Sequence, residues 1–284
     1  MADLAGENEA MTASIFLEDR SVIDVSGPEA GKFLHNLVTN DVLNLSPGQA
    51  CFAALLSPQG KIQADFFIFM LAPDSYFLDC PKQLALDLIQ RLKLYKLRMS
   101  VTINDRSAEL CVYAFPDAPE RPSAPSVTSA RDPRASFGWR AIALKNSISA
   151  SETFAFYEAR RILLGLPSGG LDFAYGDAFP HETNMDQLCG VDFNKGCYVG
   201  QEVVSRMKHR GEARKRITPY LATPQAPPPG TPINAEEIEI GVTGSHSGVT
   251  GLAMIRRDRL AQAIASGKTP MAEQMRIDFQ LEPS

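Results

Sequence analysis

Apolar and polar positions alternate along most of this chain in short β-leaning runs, broken by a few stretches of helical spacing. Ile15-Phe16-Leu17 and Val22-Ile23-Asp24-Val25, set around Asp19-Arg20, predict a hairpin over residues 14–25. Ser26-Gly27-Pro28 then reads as a helix start, with Ser26 as cap and Pro28 in the first turn, and Phe33, Leu34, Leu37 and Val38 share one helical face. Residues 52–56 and 62–71 predict two strands joined by the turn Ser57-Pro58-Gln59-Gly60, and 76–80 a third. From 82 to 95, Leu84, Leu88, Ile89, Leu92 and Tyr95 recur with helical spacing, after which 101–103 and 110–115 return to strand character.

Five prolines within 116–134 exclude a continuous ladder or helix core there and predict an exposed connection. Strand structure restarts at 137–144 with the single tryptophan, Trp139. A helix is expected over 154–164, a glycine-rich loop over 167–179, and another helix around Val203, Val204 and Met207. A second proline-dense break at 222–232 sets apart a last segment with strand runs at 238–242 and 249–255, sized for a small barrel or sheet.

Composition narrows the class. The chain has 284 residues, 44% hydrophobic and 21% charged, enough for two or three units packed around real cores. No apolar run approaches the roughly 20 residues of a membrane-spanning helix, and residues 1–12 are acidic and polar, so the expected location is the cytoplasm, with no membrane partner. Five scattered cysteines without a C-x-x-C pair argue against a disulfide framework and a zinc ribbon, and fit a reducing compartment. With a net charge of -5, a nucleic acid would have to meet a local basic patch rather than the protein's overall field.

Chemistry concentrates in Phe193-Asn194-Lys195-Gly196-Cys197-Tyr198-Val199-Gly200-Gln201-Glu202, where two glycines flank a cysteine and an aromatic ahead of a helical pattern. A helix starting near Gly200, together with Lys195, would favour negative charge and raise the thiolate fraction of Cys197. Taken alone, the residues favour a small buried cysteine in a tight turn over a reactive one. Cys51, Cys80, Cys111 and Cys189 read as core residues, and Cys189 with His181 makes only a weak case for a metal site. Arg206, Lys208, His209, Arg210, Arg214, Lys215 and Arg216 form one basic stretch, open to an anionic ligand, to RNA phosphates, or to a solvated surface. No P-loop, G-x-G-x-x-G, H-E-x-x-H or G-x-S-x-G pattern occurs.

Lys195-Gly196-Cys197-Tyr198-Val199-Gly200-Gln201-Glu202 resembles the K-G-C-Y-x-G-Q-E signature of the YgfZ family. The likeness extends to residues 25–30, Phe33-Leu34, residues 37–42, Gly60-Lys61-Ile62, Arg161 with Gly165-Leu166-Pro167, Phe179-Pro180-His181-Glu182 and Gly241-Val242-Thr243. It implies an α+β, aminomethyltransferase-like folate-binding body of two α/β lobes around a central opening, plus a small C-terminal β-barrel-like domain. On that pattern residues 1–13 form a flexible tail, 14–115 the first lobe, 116–136 the proline-rich connection, 137–216 the second lobe with the motif, and 217–284 the barrel-like domain.

The resemblance also implies a binder of tetrahydrofolate or a one-carbon derivative that supports assembly or maintenance of iron–sulfur enzymes, including radical enzymes that modify tRNA. Its implied partners are iron–sulfur proteins or their assembly machinery, and direct nucleic-acid binding is not expected. Cys197 is the functional thiol on this pattern, acting at the rim of the pterin opening. Lys195, Gly196, Tyr198, Gly200, Gln201, Glu202 and Arg210 are the implied cofactor contacts, and no metal is implied. Two departures stand out. Cys80-Pro81-Lys82-Gln83-Leu84 has no carboxylate where aminomethyltransferases carry an aspartate, and a pterin-contacting glutamate of those enzymes is replaced near Leu163. Both weigh against the alternative, a folate-dependent one-carbon transferase.

Overall fold

Strands dominate because β-branched and aromatic residues fall at alternate positions where both surfaces of a sheet must be covered. The computed structural model describes residues 13–124, 126–134, 137–209 and 213–279. In chain order the elements are β1 (Ile15–Phe16), β2 (Arg20–Ser26), α1 (Ala30–Leu37), β3 (Ala50–Leu56), β4 (Ile62–Ala72), β5 (Ser75–Pro81), α2 (Ala85–Lys96), β6 (Thr102–Asp105) and β7 (Leu110–Phe115). They continue with β8 (Thr128–Arg131), β9 (Trp139–Leu144), α3 (Phe154–Leu163), α4 (Gln201–His209), β10 (Lys215–Thr223), β11 (Pro232–Ala235), β12 (Ile238–Ser247), β13 (Thr250–Arg256), α5 (Arg257–Ala265), β14 (Met271–Ala272) and β15 (Met275–Phe279).

A five-stranded antiparallel sheet runs β3-β4-β5-β2-β6, and its period-two pattern divides two cores. Along β3, Cys51, Ala53 and Leu55 join the core beneath α1 and α2, whereas Phe52, Ala54 and Leu56 join the core shared with a four-stranded sheet, β1-β7-β9-β8. The expected hairpin over 14–25 does not form: Ile15 and Phe16 pair with Ala114 and Tyr113 of β7, so the turn after Leu17 passes the chain from one sheet to the other. Ser26 ends β2 instead of capping α1, whose N-cap is Glu29 without a side-chain cap bond. Gly27 takes φ 125° there, with the carbonyl of Ser100 only 2.4 Å from where a Cβ would stand.

The proline-rich stretch is also more structured than expected. Thr128–Arg131 forms an edge strand on β9, and Asp132 and Arg134 are buried, because the prolines flank this short run instead of interrupting it. Residues 110–115 sit in the four-stranded sheet beside β9.

The C-terminal segment closes into a six-stranded barrel, β10-β13-β12-β11-β14-β15, with Tyr220 paired to Phe279 at the closure. Leu260 and Ala263 of α5 enter the barrel core. Buried Asp172 ties barrel to body: it accepts from Arg161 Nη1 at 3.0 Å and from the Ser245 amide at 2.7 Å.

Candidate functional site

Where the two sheets meet, the core opens into a cavity of about 460 Å³, within the ~300–1,000 Å³ range of small-molecule sites. Phe52 of β3, Phe67 of β4, and Phe154 and Tyr157 of α3 give it aromatic walls, while Arg20, Arg134 and Arg140 bring charge. Those charges are committed beforehand. Fully buried Asp79 on β5 accepts from Arg20 Nε at 2.6 Å and Arg140 Nη2 at 2.5 Å, and Arg134 pairs with Asp132 at 2.9 Å. Burial would raise the Asp79 carboxyl, but Arg140 and Arg20 outweigh it and hold the group below its ordinary range. The guanidinium of Arg140 also lies 4.2 Å over the Phe67 ring, and that of Arg134 lies 4.6 Å over the same ring.

At residues 80–84 the chain has no carboxylate, as expected, and Lys82 and Gln83 stand exposed at the cavity. The carboxylates that do line it are Asp19, Asp65 and Glu158. Tyr175 donates its hydroxyl to Asp65, and burial first, then Asp65, pushes that phenol far up, so it stays a neutral donor. Leu163 is 59% exposed and does not line the cavity, whereas Glu158, one turn earlier on α3, does and is bridged by Arg161. The sequence reading missed Arg20, Asp65, Arg140 and Tyr175. The signal was present for two of them, because Asp65 and Arg140 are lone charges inside otherwise apolar strands.

The cysteine motif lies elsewhere: none of Lys195, Gly196, Cys197, Tyr198, Gly200, Gln201 and Glu202 lines this cavity. Lys195 is turned inward. Its Nζ donates to the carbonyls of Val38 at 2.6 Å, Asn40 at 2.9 Å and His35, closing the C-terminal end of α1. Burial pushes this ammonium down to about 8, with Asp41, Cys51 and Asp192 opposing the fall. The expected role of Lys195 as positive neighbour of the thiol is therefore corrected: its charge serves the backbone of residues 35–40.

The rest of the loop is clamped in the same way. Thr39 donates its hydroxyl to Gly190 O at 2.6 Å, and the Asp192 amide donates to Thr39 O at 3.0 Å. Asn40 donates to Cys189 O at 2.6 Å, and the Tyr198 ring is buried in the inter-sheet core. Gly200 takes φ 81° and brings its backbone against the β3–β4 turn, where a Cβ would lie 2.6 Å from the Ser57 carbonyl. Cys197 is exposed between these anchors, four residues ahead of the first residue of α4. Gly196 has open space around it. Cys189, expected in the core, is exposed as well, with φ 53°.

The basic stretch is partly consumed within the chain. Arg206 pairs with Glu202, Lys208 Nζ sits 3.8 Å over the Phe193 ring, and Arg216 pairs with Asp186 at 2.9 Å. Arg210 lies outside the described residues. His209, Arg214 and Lys215 are exposed.

Two family descriptions match the chain: the GCVT N-terminal domain over residues 5–116 and the CAF17 C-terminal beta-barrel domain over 214–279. Among curated proteins it is similar to the human mitochondrial iron–sulfur cluster assembly factor IBA57, 31% identical over 88% of this chain and 79% of that one. The mitochondrial IBA57 homologue of Mycosarcoma maydis is 33% identical over 88% of this chain and 66% of that one. The chain spans 56% to 66% of the length of the three fungal relatives from M. maydis, Neurospora crassa and Phaeosphaeria nodorum. Among solved structures, the glycine cleavage aminomethyltransferase T of Bartonella henselae superposes with a TM-score of 0.72 at 15% identity, covering 94% of this chain and 84% of that one, which shows the shared fold. The cytoplasmic expectation is corrected here, because these curated relatives are named mitochondrial. No helix among the described residues is long and apolar enough to cross a membrane.

Proposed function

The chain belongs to the family of the iron–sulfur cluster assembly factor IBA57, and from that premise we propose that it supports the assembly or maintenance of iron–sulfur proteins, with Cys197 as the working thiol. The observation that carries this reading is the exposure of Cys197 on a loop held rigid by Lys195, Tyr198 and Gly200. A thiol displayed on a clamped surface loop suits transient contact with a sulfur or a cluster carried by another protein, since the thiolate is the ligand and nucleophile and needs access more than enclosure. The finer assignment to the YgfZ type, with tRNA-modifying radical enzymes among the clients, is part of the same proposal.

Tetrahydrofolate or a one-carbon derivative is proposed for the cavity. Its aromatic walls suit stacking of a planar pterin, and Asp65 and Glu158 offer acceptors for ring N–H groups. Lys82, exposed at the cavity, is placed to meet the glutamate tail. The motif residues would then act on the cofactor only indirectly, by holding the loop. Asp65 also favours a second reading, one-carbon transfer, because it puts a carboxylate on the cavity wall, though on β4 instead of after β5.

Two variants separate these roles. In cells lacking the endogenous protein, Cys197→Ala should leave iron–sulfur enzyme activity and tRNA modification uncorrected while the purified variant still titrates with tetrahydrofolate; full complementation rejects Cys197. Arg140→Met should lose folate binding, and unchanged affinity would remove the ligand from this cavity. Turnover of labelled methylene-tetrahydrofolate by the pure protein would favour the transferase.

A further inference from the structure

Helix α2 is apolar on two sides. Ala85, Leu88, Ile89 and Leu92 are buried against the five-stranded sheet, as an amphipathic helix requires. On the opposite side Leu86 is 70% exposed, Leu94 75% and Leu97 84%. Leu86 and Leu94 share one side of the helix with Gln90 between them, at i, i+4 and i+8, and Leu97 follows immediately past the helix end.

The helix ends on a strained residue. The Met99 amide donates to Lys96 O at 2.9 Å, closing a turn in which Leu97 takes φ 49° and ψ −113°. Those angles belong to the second residue of a type II′ turn, a position that glycine fills by default because a Cβ crowds the backbone there. A leucine that is held in this conformation and left in solvent gains no packing from its own chain. Strain of this kind is kept where another contact uses the side chain.

Charge identifies the kind of contact. Lys93, Lys96 and Arg98 flank Leu94 and Leu97 along the chain and carry no ion pair among the described residues, whereas Arg91 is occupied by Asp87. A shallow depression lined by Glu29, Leu97, Arg98 and Met99 adjoins the helix end. We propose that this side of α2 docks a partner protein through an acidic amphipathic helix, whose apolar side chains lie along Leu86, Leu94 and Leu97 while its carboxylates meet Lys93, Lys96 and Arg98. An isologous pair of chains would set the same basic rim against itself, so a second copy is disfavoured. The inference is independent of the thiol, since α2 and the cysteine motif share no residue.

The test uses the full chain and a labelled helical peptide of about five turns, with leucines on one face and glutamates elsewhere, beside the same peptide with lysines for glutamates. The acidic peptide should bind with an affinity that falls as salt rises, and fluorescence anisotropy should show it weakened about tenfold, the size of an interface anchor, by Leu94→Ser and by Lys93→Glu combined with Arg98→Glu. Leu97→Gly should raise the melting temperature and weaken the peptide. Equal binding of the two peptides, no binding, or undiminished binding to the variants overturns the proposal. So does sedimentation with phosphatidylglycerol vesicles, or a dimer in sedimentation velocity, that Leu94→Ser abolishes.

Discussion

Lys195 reaches across from the cysteine loop to donate its ammonium to the carbonyl of Val38 at 2.6 Å, joining positions 157 residues apart. The contact makes the presentation of Cys197 depend on the end of α1. Lys195→Met keeps the aliphatic stem but leaves the carbonyls of His35, Val38 and Asn40 without their donor. A loss of about 3 kcal/mol is expected from unpaired buried acceptors, read as a lower urea midpoint at unchanged m. A midpoint equal to that of the native chain would mean that the lysine does not hold the loop.

The cysteines divide by access. Cys189 and Cys197 are exposed, and Cys51, Cys80 and Cys111 are buried, with burial pushing the Cys51 and Cys80 thiols up to about 12. In the native protein an aromatic disulfide reagent should titrate two thiols promptly, one after Cys197→Ala, and the remainder only in denaturant. Prompt reaction of a third thiol would contradict the burial of Cys51, Cys80 or Cys111.

The two motif glycines should behave oppositely. Gly200→Ala places a methyl 2.6 Å from the Ser57 carbonyl at a residue with φ 81°, a combination that should cost more than about 1 kcal/mol. Around Gly196 nothing lies within 4 Å, and its φ is not in the left-handed region. Gly196→Ala should therefore stay within about 0.5 kcal/mol of the native stability. If it also impairs complementation, the space before Cys197 is needed by whatever approaches the thiol; a large loss of stability would place an unseen contact there.

The motif was legible because its chemistry is local: glycines, a cysteine and a helix start within ten residues announce a shaped loop. Long-range connections were not, since Lys195 finds its acceptors at and just past the end of α1, and Ile15 pairs with Ala114 of β7 instead of closing the hairpin expected over 14–25. The cavity was hidden for the same reason. Arg20 and Arg140 meet Asp79 from 59 and 61 residues away, the first from the neighbouring strand β2 and the second from the other sheet, and no local spacing rule connects them. Proline density misled twice: the break at 222–232 falls inside the barrel, between β10 and β11, and at 128–131 it masked a strand whose ladder lies between the prolines. Helical spacing marked Leu88, Ile89 and Leu92 as the buried face of α2 and left Leu86 and Leu94 off it, but no period could tell that Leu97 leaves the helix in a left-handed turn.

Asp79 decides the acid limit of the inter-sheet core. Its carboxyl is held below the ordinary value, so its contribution is complete above the unfolded carboxylate pKa of about 3.9 and is lost as pH falls through the lower, folded value. Asp79→Asn removes the charge at every pH and takes from the guanidinium groups of Arg20 and Arg140 their shared, hydrogen-bonded counter-ion, leaving Arg140 only Asp132 at 3.9 Å. The expected cost is about 3–5 kcal/mol at neutral pH. Because the unfolded chain binds the extra proton first as acid is added, the gap between native and variant should stay level from pH 7 to about 4 and narrow below that. Denaturant unfolding across that range measures it. A gap that instead widened on acidification would mean that the folded Asp79 carboxyl is raised, with burial outweighing its two arginines.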